Sequence, residues 1–187
     1  MKALTSKEIL DKVSDSSINK AGGSFKTIFL LAILAGAYIA IGGFASTMAS
    51  YNLTSDPATF GLGRLVAGCV FPVGLMMVVL CGAELFTGNC LMITGVADKK
   101  IDLKGMLRNW GIVYIGNLIG ALIFAYFVFY TDSLDASNGL LGAMVIKTAI
   151  GKVNLDFGKA VVLGIMCNWL VCLAVWMATG AQATVSK

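Results

Sequence analysis

Apolar runs long enough to cross a bilayer recur four times along the chain. A helix needs about 20 such residues, at 1.5 Å rise each, to span the hydrocarbon. Thr27 to Ala49 carries no charged side chain. After Arg64 the chain is apolar from Leu65 to Ala83, meets Glu84, and continues apolar from Leu85 to Ala97. The third run is Asn109 to Tyr130 and the fourth is Ala160 to about Gly180. The pattern predicts an all-α integral membrane protein, with a transmembrane domain over 27–180 and spans at about 27–49, 65–97, 109–130 and 160–180.

The second run is too long for one span. As a single helix, 65–97 would measure about 50 Å, against a hydrocarbon core of about 30 Å. Tilt is a poor remedy for that excess, so a break near 84–90 is expected. Gly88 and Asn89 are poor helix formers, and Thr87 and Asn89 can bond freed backbone groups. Irregular backbone at this depth is tolerated only against protein or a wet cavity, and broken helices mark substrate paths in transporters. A second half-helix starting near Asn89 would aim its positive end at an anion.

Upstream, Thr5 and Glu8 fit a capping box. Ile9, Leu10, Val13 and Ser17 then share one face, so 1–26 reads as an amphipathic cytoplasmic segment. Its readings are a solvated, membrane-skimming tail or a partner-docking or gating element. The lysines and acids of this segment leave no room for a secretory h-region. Between spans three and four, LLGAMVIKTAI is expected as a re-entrant or interfacial helix, because Lys147 and Lys152 oppose a full span.

Charge sets the orientation. Ten Lys/Arg fall on the side of the N-terminus, the 98–108 connection and Lys187, against Arg64, Lys147, Lys152 and Lys159 on the other. The positive-inside rule therefore puts both termini in the cytoplasm.

Composition agrees. Of 187 residues, 58% are hydrophobic and 13% charged, about half the ~25% charged share of soluble domains. That excludes a soluble or a disordered chain. The net charge of +4 comes from scattered residues and forms no nucleic-acid stripe. There is no His, which removes His-ligated haem, His zinc sites and His-based catalytic pairs. The five Cys lie in apolar runs without CxxC spacing and read as small hydrophobes.

Three polar positions stand out. Glu84 reads as a structural carboxylate pairing with a Lys or with loop N–H groups; a functional intramembrane charge is the alternative. Asn168, inside GIMCNWLVCLAVWM, either joins helices or lines a pore. Lys152, with Lys147 and Lys159, makes the outer mouth basic. Gly116 and Gly120 form a GxxxG, which favours close helix approach.

CGAELFTGN at 81–89, NWGIVYIGNLIGAL at 109–122 and CNWLVCLAVWMA at 167–178 together resemble the formate/nitrite transporter family, over residues from about 25 to 180. The resemblance implies an aquaporin-like helical bundle with a broken second transmembrane helix, assembled as a homopentamer with a pore in each protomer. The aquaporin NPA boxes are absent. It further implies that Thr87, in the loop Leu85-Phe86-Thr87, hydrogen-bonds at the pore centre. Leu75 and Leu85 would form the cytoplasmic-side constriction and Phe71 the periplasmic one. Val171 would line the pore near Asn168, and Lys152 and Asn168 would draw the anion in from the periplasm.

Family members have six spans in two inverted repeats, and their broken fifth helix carries a pore histidine. Four expected spans and no histidine lead to the expectation of a truncated or cleaved chain, with 181–187 at its cytoplasmic end. The functional expectation is passive or proton-coupled transport of a small monovalent anion across a bacterial-type cytoplasmic membrane. Formate comes first, nitrite or hydrosulfide next. No cofactor, metal, enzymatic activity or nucleic-acid partner is expected. The alternative is a membrane anchor subunit of a redox complex, weakened by the absence of His. A membrane enzyme using Glu84 or a Cys lacks any paired acid/base constellation.

Overall fold

The structure is a computed structural model describing residues 4–183. Residues 1–3 and 184–187, with Lys2, Lys187 and most of the expected 181–187 end, lie outside the described residues. The described part is helical: α1 (Ser6–Gly22), α2 (Phe25–Ser55), α3 (Phe60–Cys81), α4 (Phe86–Ala97), α5 (Leu103–Tyr130), α6 (Leu140–Val153) and α7 (Phe157–Gly180). The helices α2, α3, α5 and α7 are long and apolar enough to cross a membrane, whereas α4 is a half-length apolar helix.

Side-chain caps explain why the helices begin earlier than apolarity suggests. The Ser24 hydroxyl accepts the Thr27 N–H at 3.2 Å, so α2 starts at Phe25. Asp102 accepts the Gly105 N–H at 2.8 Å and starts α5 at Leu103 instead of Asn109. Asp156 accepts the Gly158 and Lys159 N–H groups and starts α7 at Phe157. Such caps satisfy donors that have no intrahelical partner. The second span also begins before the expected Leu65: Arg64 is inside α3 and exposed, since a long cationic side chain can reach a polar boundary while its stem stays apolar. Pro72 interrupts α3 at Phe71, splitting it into Phe60–Val70 and Pro72–Cys81.

The break itself is displaced from 84–90. It comprises Gly82 to Leu85, and α4 begins at Phe86 rather than near Asn89. Gly82 stops the helix by adopting φ 75° and ψ 40°, a left-handed conformation that glycine takes without steric cost. Gly88 and Asn89 are helical.

Small residues hold the bundle together. The α2 and α5 backbones touch at the GxxxG: a Cβ on Gly120 would overlap the Ile33 carbonyl, and one on Gly116 would meet the Ala32 Cβ at 2.5 Å. Gly42 of α2 faces Gly74 of α3 in the same manner. Packing of this kind replaces the hydrophobic driving force that lipid removes. In contrast, α7 is largely bare in this chain: Val162, Ile165, Trp169 and Leu170 are all more than half exposed.

The helix α1 packs against α4, α5 and α7. It starts with the expected capping box, in which Thr5 Oγ1 accepts the Glu8 N–H at 3.3 Å and Glu8 Oε2 accepts the Thr5 N–H at 2.7 Å. These bonds to Thr5 hold the Glu8 carboxyl below its usual pKa. Its buried face is Val13, Ser14 and Ser17, with Leu10 exposed, so Leu10 is not part of the face expected from spacing. Lys100, in the 98–102 turn, hydrogen-bonds Asp15 at 2.8 Å, which raises the ammonium above the usual lysine pKa. These contacts make α1 a docked element rather than a loose tail.

Candidate functional site

The connection from α3 to α4 is a four-residue break whose polar backbone groups must be met from outside, because no water is available in hydrocarbon. The N–H groups of Gly82 and Ala83 both return to the Val78 carbonyl, at 3.1 and 3.0 Å. The Glu84 N–H donates to the Leu31 carbonyl of α2 at 3.2 Å. Asn117, midway along α5, does the rest. Its Nδ2 donates to the carbonyls of Glu84 (2.9 Å) and Ala32 (2.8 Å), and its Oδ1 accepts the Phe86 N–H at 2.9 Å. The next amides of α4, those of Thr87 and Gly88, have no intrahelical acceptor.

Below the break lies a charged, hydrogen-bonded hub. Glu84 Oε1 accepts from Lys20 Nζ of α1 at 2.7 Å, and Glu84 Oε2 accepts from Asn89 Nδ2 at 2.6 Å. Lys20 also donates to Asn89 Oδ1 at 2.8 Å. Asn109 Oδ1 accepts from Asn89 Nδ2 at 2.8 Å, Asn109 Nδ2 donates to the Lys20 carbonyl at 3.0 Å, and Trp110 Nε1 donates to the Asn89 carbonyl at 2.9 Å. Asn89 and Asn109 are fully buried, and their bonds offset a desolvation that would otherwise cost about 1–3 kcal/mol for each unpaired group. Glu84 is therefore a paired carboxylate here.

Above the hub the structure gathers Leu75, Val78, Leu85 and Val171 around Ala35 into one apolar cluster. Three residues expected along a pore thus share one cluster, Leu85 within it and Leu75 and Val171 packed against it. Phe86 does not join them. It packs on Ile28, Ala32 and Val113 and meets Trp110 and Tyr114 edge-on, with centroids 5.9 and 5.4 Å apart. A helix begins at Phe86, so consecutive side chains diverge by about 100°. Phe86 thus packs against α2 and α5, and it lines a cavity together with Leu85, Tyr114 and Asn117. Phe71 sits at the α3 kink, 46% exposed and away from this cluster.

Thr87, Asn168 and two thiols lie beside the apolar cluster. Cys172 Sγ donates to the Thr87 carbonyl at 3.4 Å, Cys90 Sγ to the Phe86 carbonyl at 3.5 Å, and Asn168 Nδ2 to Cys172 Sγ at 3.7 Å. Asn168 Oδ1 is buried with no partner among the described residues. The Thr87 hydroxyl and the Asn168 carbonyl oxygen can therefore each still bond a transient ligand.

Two cavities flank this level. On the α1 side a space of about 260 Å³ is lined by Lys20, Glu84, Gly88, Leu91, Val175 and Thr179, among others. On the α6 side a space of about 470 Å³ is lined by Arg64, Lys147 and Lys152 with Ser and Thr hydroxyls. Lys152 thus lines a cavity that none of the break residues Gly82 to Leu85 reaches.

Sequence reasoning missed Lys20, Asn109 and Asn117. Asn117 carried a usable signal: an amide in the middle of an apolar run, the criterion already applied to Asn168. Lys20 carried none, because its partner is 64 residues away.

The family model described as formate/nitrite transporter matches residues 7–187. An uncharacterized transporter, YrhG, of Bacillus subtilis is 40% identical over 181 residues, covering 96% of this chain and 67% of that protein. A probable formate transporter of Methanothermobacter thermautotrophicus is 41% identical over 174 residues, covering 86% of this chain and 64% of that protein. A solved pentameric formate channel with formate bound superposes with a TM-score of 0.76 at 35% identity, over 87% of this chain and 63% of that one. The chain spans about two thirds of the length of each of these proteins. Its broken-helix fold and its sequence agree along nearly all of its length, and the chain belongs to the formate/nitrite transporter family.

Proposed function

We propose that the protein containing this chain conducts a small monovalent anion, formate first and nitrite or hydrosulfide next, through a pore in each protomer of a homopentamer. The carrying observation is the apolar cluster that includes Leu75, Leu85 and Val171, with Thr87 and Asn168 close by in the chain, in a fold that also holds one cavity reached by Lys20 and another reached by Arg64, Lys147 and Lys152. An apolar ring admits an anion only if the cost of removing its water, several kcal/mol for a bare charge, is offset nearby. The amides at the start of α4, the Thr87 hydroxyl and the Asn168 Nδ2 amino group, held by a long bond of 3.7 Å to Cys172 Sγ, supply that offset. Lys152 concentrates anions outside it. Glu84, paired with Lys20, does not repel them as a bare carboxylate would. The charge bias across the loops supports a cytoplasmic N-terminus in a bacterial-type inner membrane.

The test is uptake of radiolabelled formate into proteoliposomes, beside parallel assays with nitrite and hydrosulfide. The expected result is saturable flux that falls at least tenfold in Thr87→Val. In Leu85→Ala, loss of the ring should let larger carboxylates such as acetate pass faster. Intact, correctly assembled protein without flux of any of the three anions would sink the proposal.

A further inference from the structure

We propose that the cavity on the α6 side is a binding site for a divalent oxyanion of the sulfate or hydrogenphosphate class, which occupies the mouth of the pore without passing it. The inference rests on the conduction reading for its consequence; the site shares Lys152 with that reading and adds Arg64 and Lys147. Arg64 comes from α3, and Lys147 and Lys152 come from successive turns of α6. All three line one cavity of about 470 Å³, and among the described residues its lining contains no Asp or Glu. None of the three cations forms an ion pair among the described residues. The nearest carboxylate along the chain, Asp156, is engaged by the Gly158 and Lys159 amides at the start of α7.

The lining hydroxyls already donate elsewhere. Ser46 bonds the Ala67 carbonyl, Ser50 the Ser46 carbonyl, and Thr148 the Met144 carbonyl. The remaining donors are therefore concentrated on the three cations. A space of this size is of the order used for small-molecule ligands, about 300–1,000 Å³, far larger than a triatomic anion needs. An Arg fork offers two parallel bonds to an oxyanion, and lysines add point charges. A doubly charged guest doubles the Coulomb attraction of each cation. The same double charge makes dehydration at the Leu75–Leu85–Val171 ring prohibitive. A dianion thus lodges where a monovalent anion passes on.

The experiment measures sulfate inhibition of formate flux in proteoliposomes, with chloride at matched ionic strength to remove screening effects. Binding of radiolabelled sulfate to the purified protein in detergent is measured alongside. Each variant is compared with its own flux in the absence of sulfate. Sulfate should inhibit competitively and more strongly than chloride. Arg64→Gln should weaken both inhibition and binding about tenfold, as expected for loss of one charge-assisted bidentate contact. Arg64→Lys should fall between, because it keeps charge and loses the fork. Equal sulfate binding by the intact protein and Arg64→Gln, or none by the intact protein, overturns the site. Absence of formate flux with sulfate binding retained would instead overturn conduction and leave the dianion site standing.

Discussion

Lys20 Nζ lies 2.7 Å from Glu84 Oε1, joining the last turn of α1 to the break between α3 and α4. The same ammonium reaches Asn89 Oδ1 at 2.8 Å. One charge therefore ties the amphipathic helix to the break and to the first turn of α4 beyond it. The two side chains are 26% and 14% exposed, intermediate between a surface pair worth about 0–1 kcal/mol and a buried one whose rupture costs about 3–5 kcal/mol.

Lys20→Met should therefore destabilise the folded protein by about 1–3 kcal/mol, since it leaves Glu84 charged and short of a donor. Glu84→Gln alone should cost a similar amount. The double variant should cost less than the sum of the two, because each removes the other's unpaired charge. Thermal melts of all four proteins in one detergent decide this; strictly additive losses would show that the pair is not coupled.

Asn117→Leu should be more severe than any substitution at an exposed position of α5. It strands the Phe86 N–H and the Glu84 carbonyl at the break and removes a second bond from the Ala32 carbonyl, which keeps its place in the α2 ladder. At about 1–3 kcal/mol for each buried unpaired group, a loss of several kcal/mol follows. The readout is the yield of folded protein in size-exclusion chromatography and its melting temperature. A near-native melt for Asn117→Leu would mean that the break finds other partners.

Gly120→Ala should separate α2 from α5. The new methyl group would collide with the Ile33 carbonyl, a backbone atom that cannot swing aside, and overpacking of this kind costs about 1–3 kcal/mol or more. Gly111→Ala, also on α5, meets open space and should be neutral or slightly stabilising. A matched pair of melts distinguishes steric conflict from a general intolerance of substitution in α5.

The start of α1 should loosen in acid. Thr5 bonds hold the Glu8 pKa below its unfolded value. Its contribution is therefore complete above the unfolded pKa and is lost as the pH falls through the lowered folded one. Protection of the first-turn amides, corrected for the intrinsic exchange rate, should fall over that acid range; Glu8→Gln should abolish the pH dependence, and Thr5→Ala, which keeps the backbone N–H bond to Glu8, should only weaken it. Unchanged pH dependence in Glu8→Gln would place the stability of this helix end in its packing instead.

Much of the fold was legible in one dimension. Lipid imposes a single strong requirement, an apolar helix of sufficient length, so four spans and an interruption in the second follow from hydropathy alone. The capping box was equally visible, because its two residues are three apart and their geometry is local. The place of the break was not. Gly88 and Asn89 are weak helix formers, yet they are helical. Packing outweighs propensities of under about 1 kcal/mol per residue, and Asn117 supplies the bonds that let the chain open at Gly82 to Leu85 instead.

The candidate site divides along the same line. Chain order and apolarity, with the motifs at 81–89, 109–122 and 167–178, determined that this is a membrane protein built around a broken helix. They also determined that Thr87 and Asn168 are polar groups placed within its spans. Only the tertiary structure decided that Leu75, Leu85 and Val171 converge while Phe86 turns away, and that Glu84 finds Lys20. Those outcomes depend on how helices distant in sequence come together. The helix approach is set by backbone contacts such as Gly120 against Ile33, and the break by bonds reaching in from α2 and α5. No periodicity within a single segment encodes either.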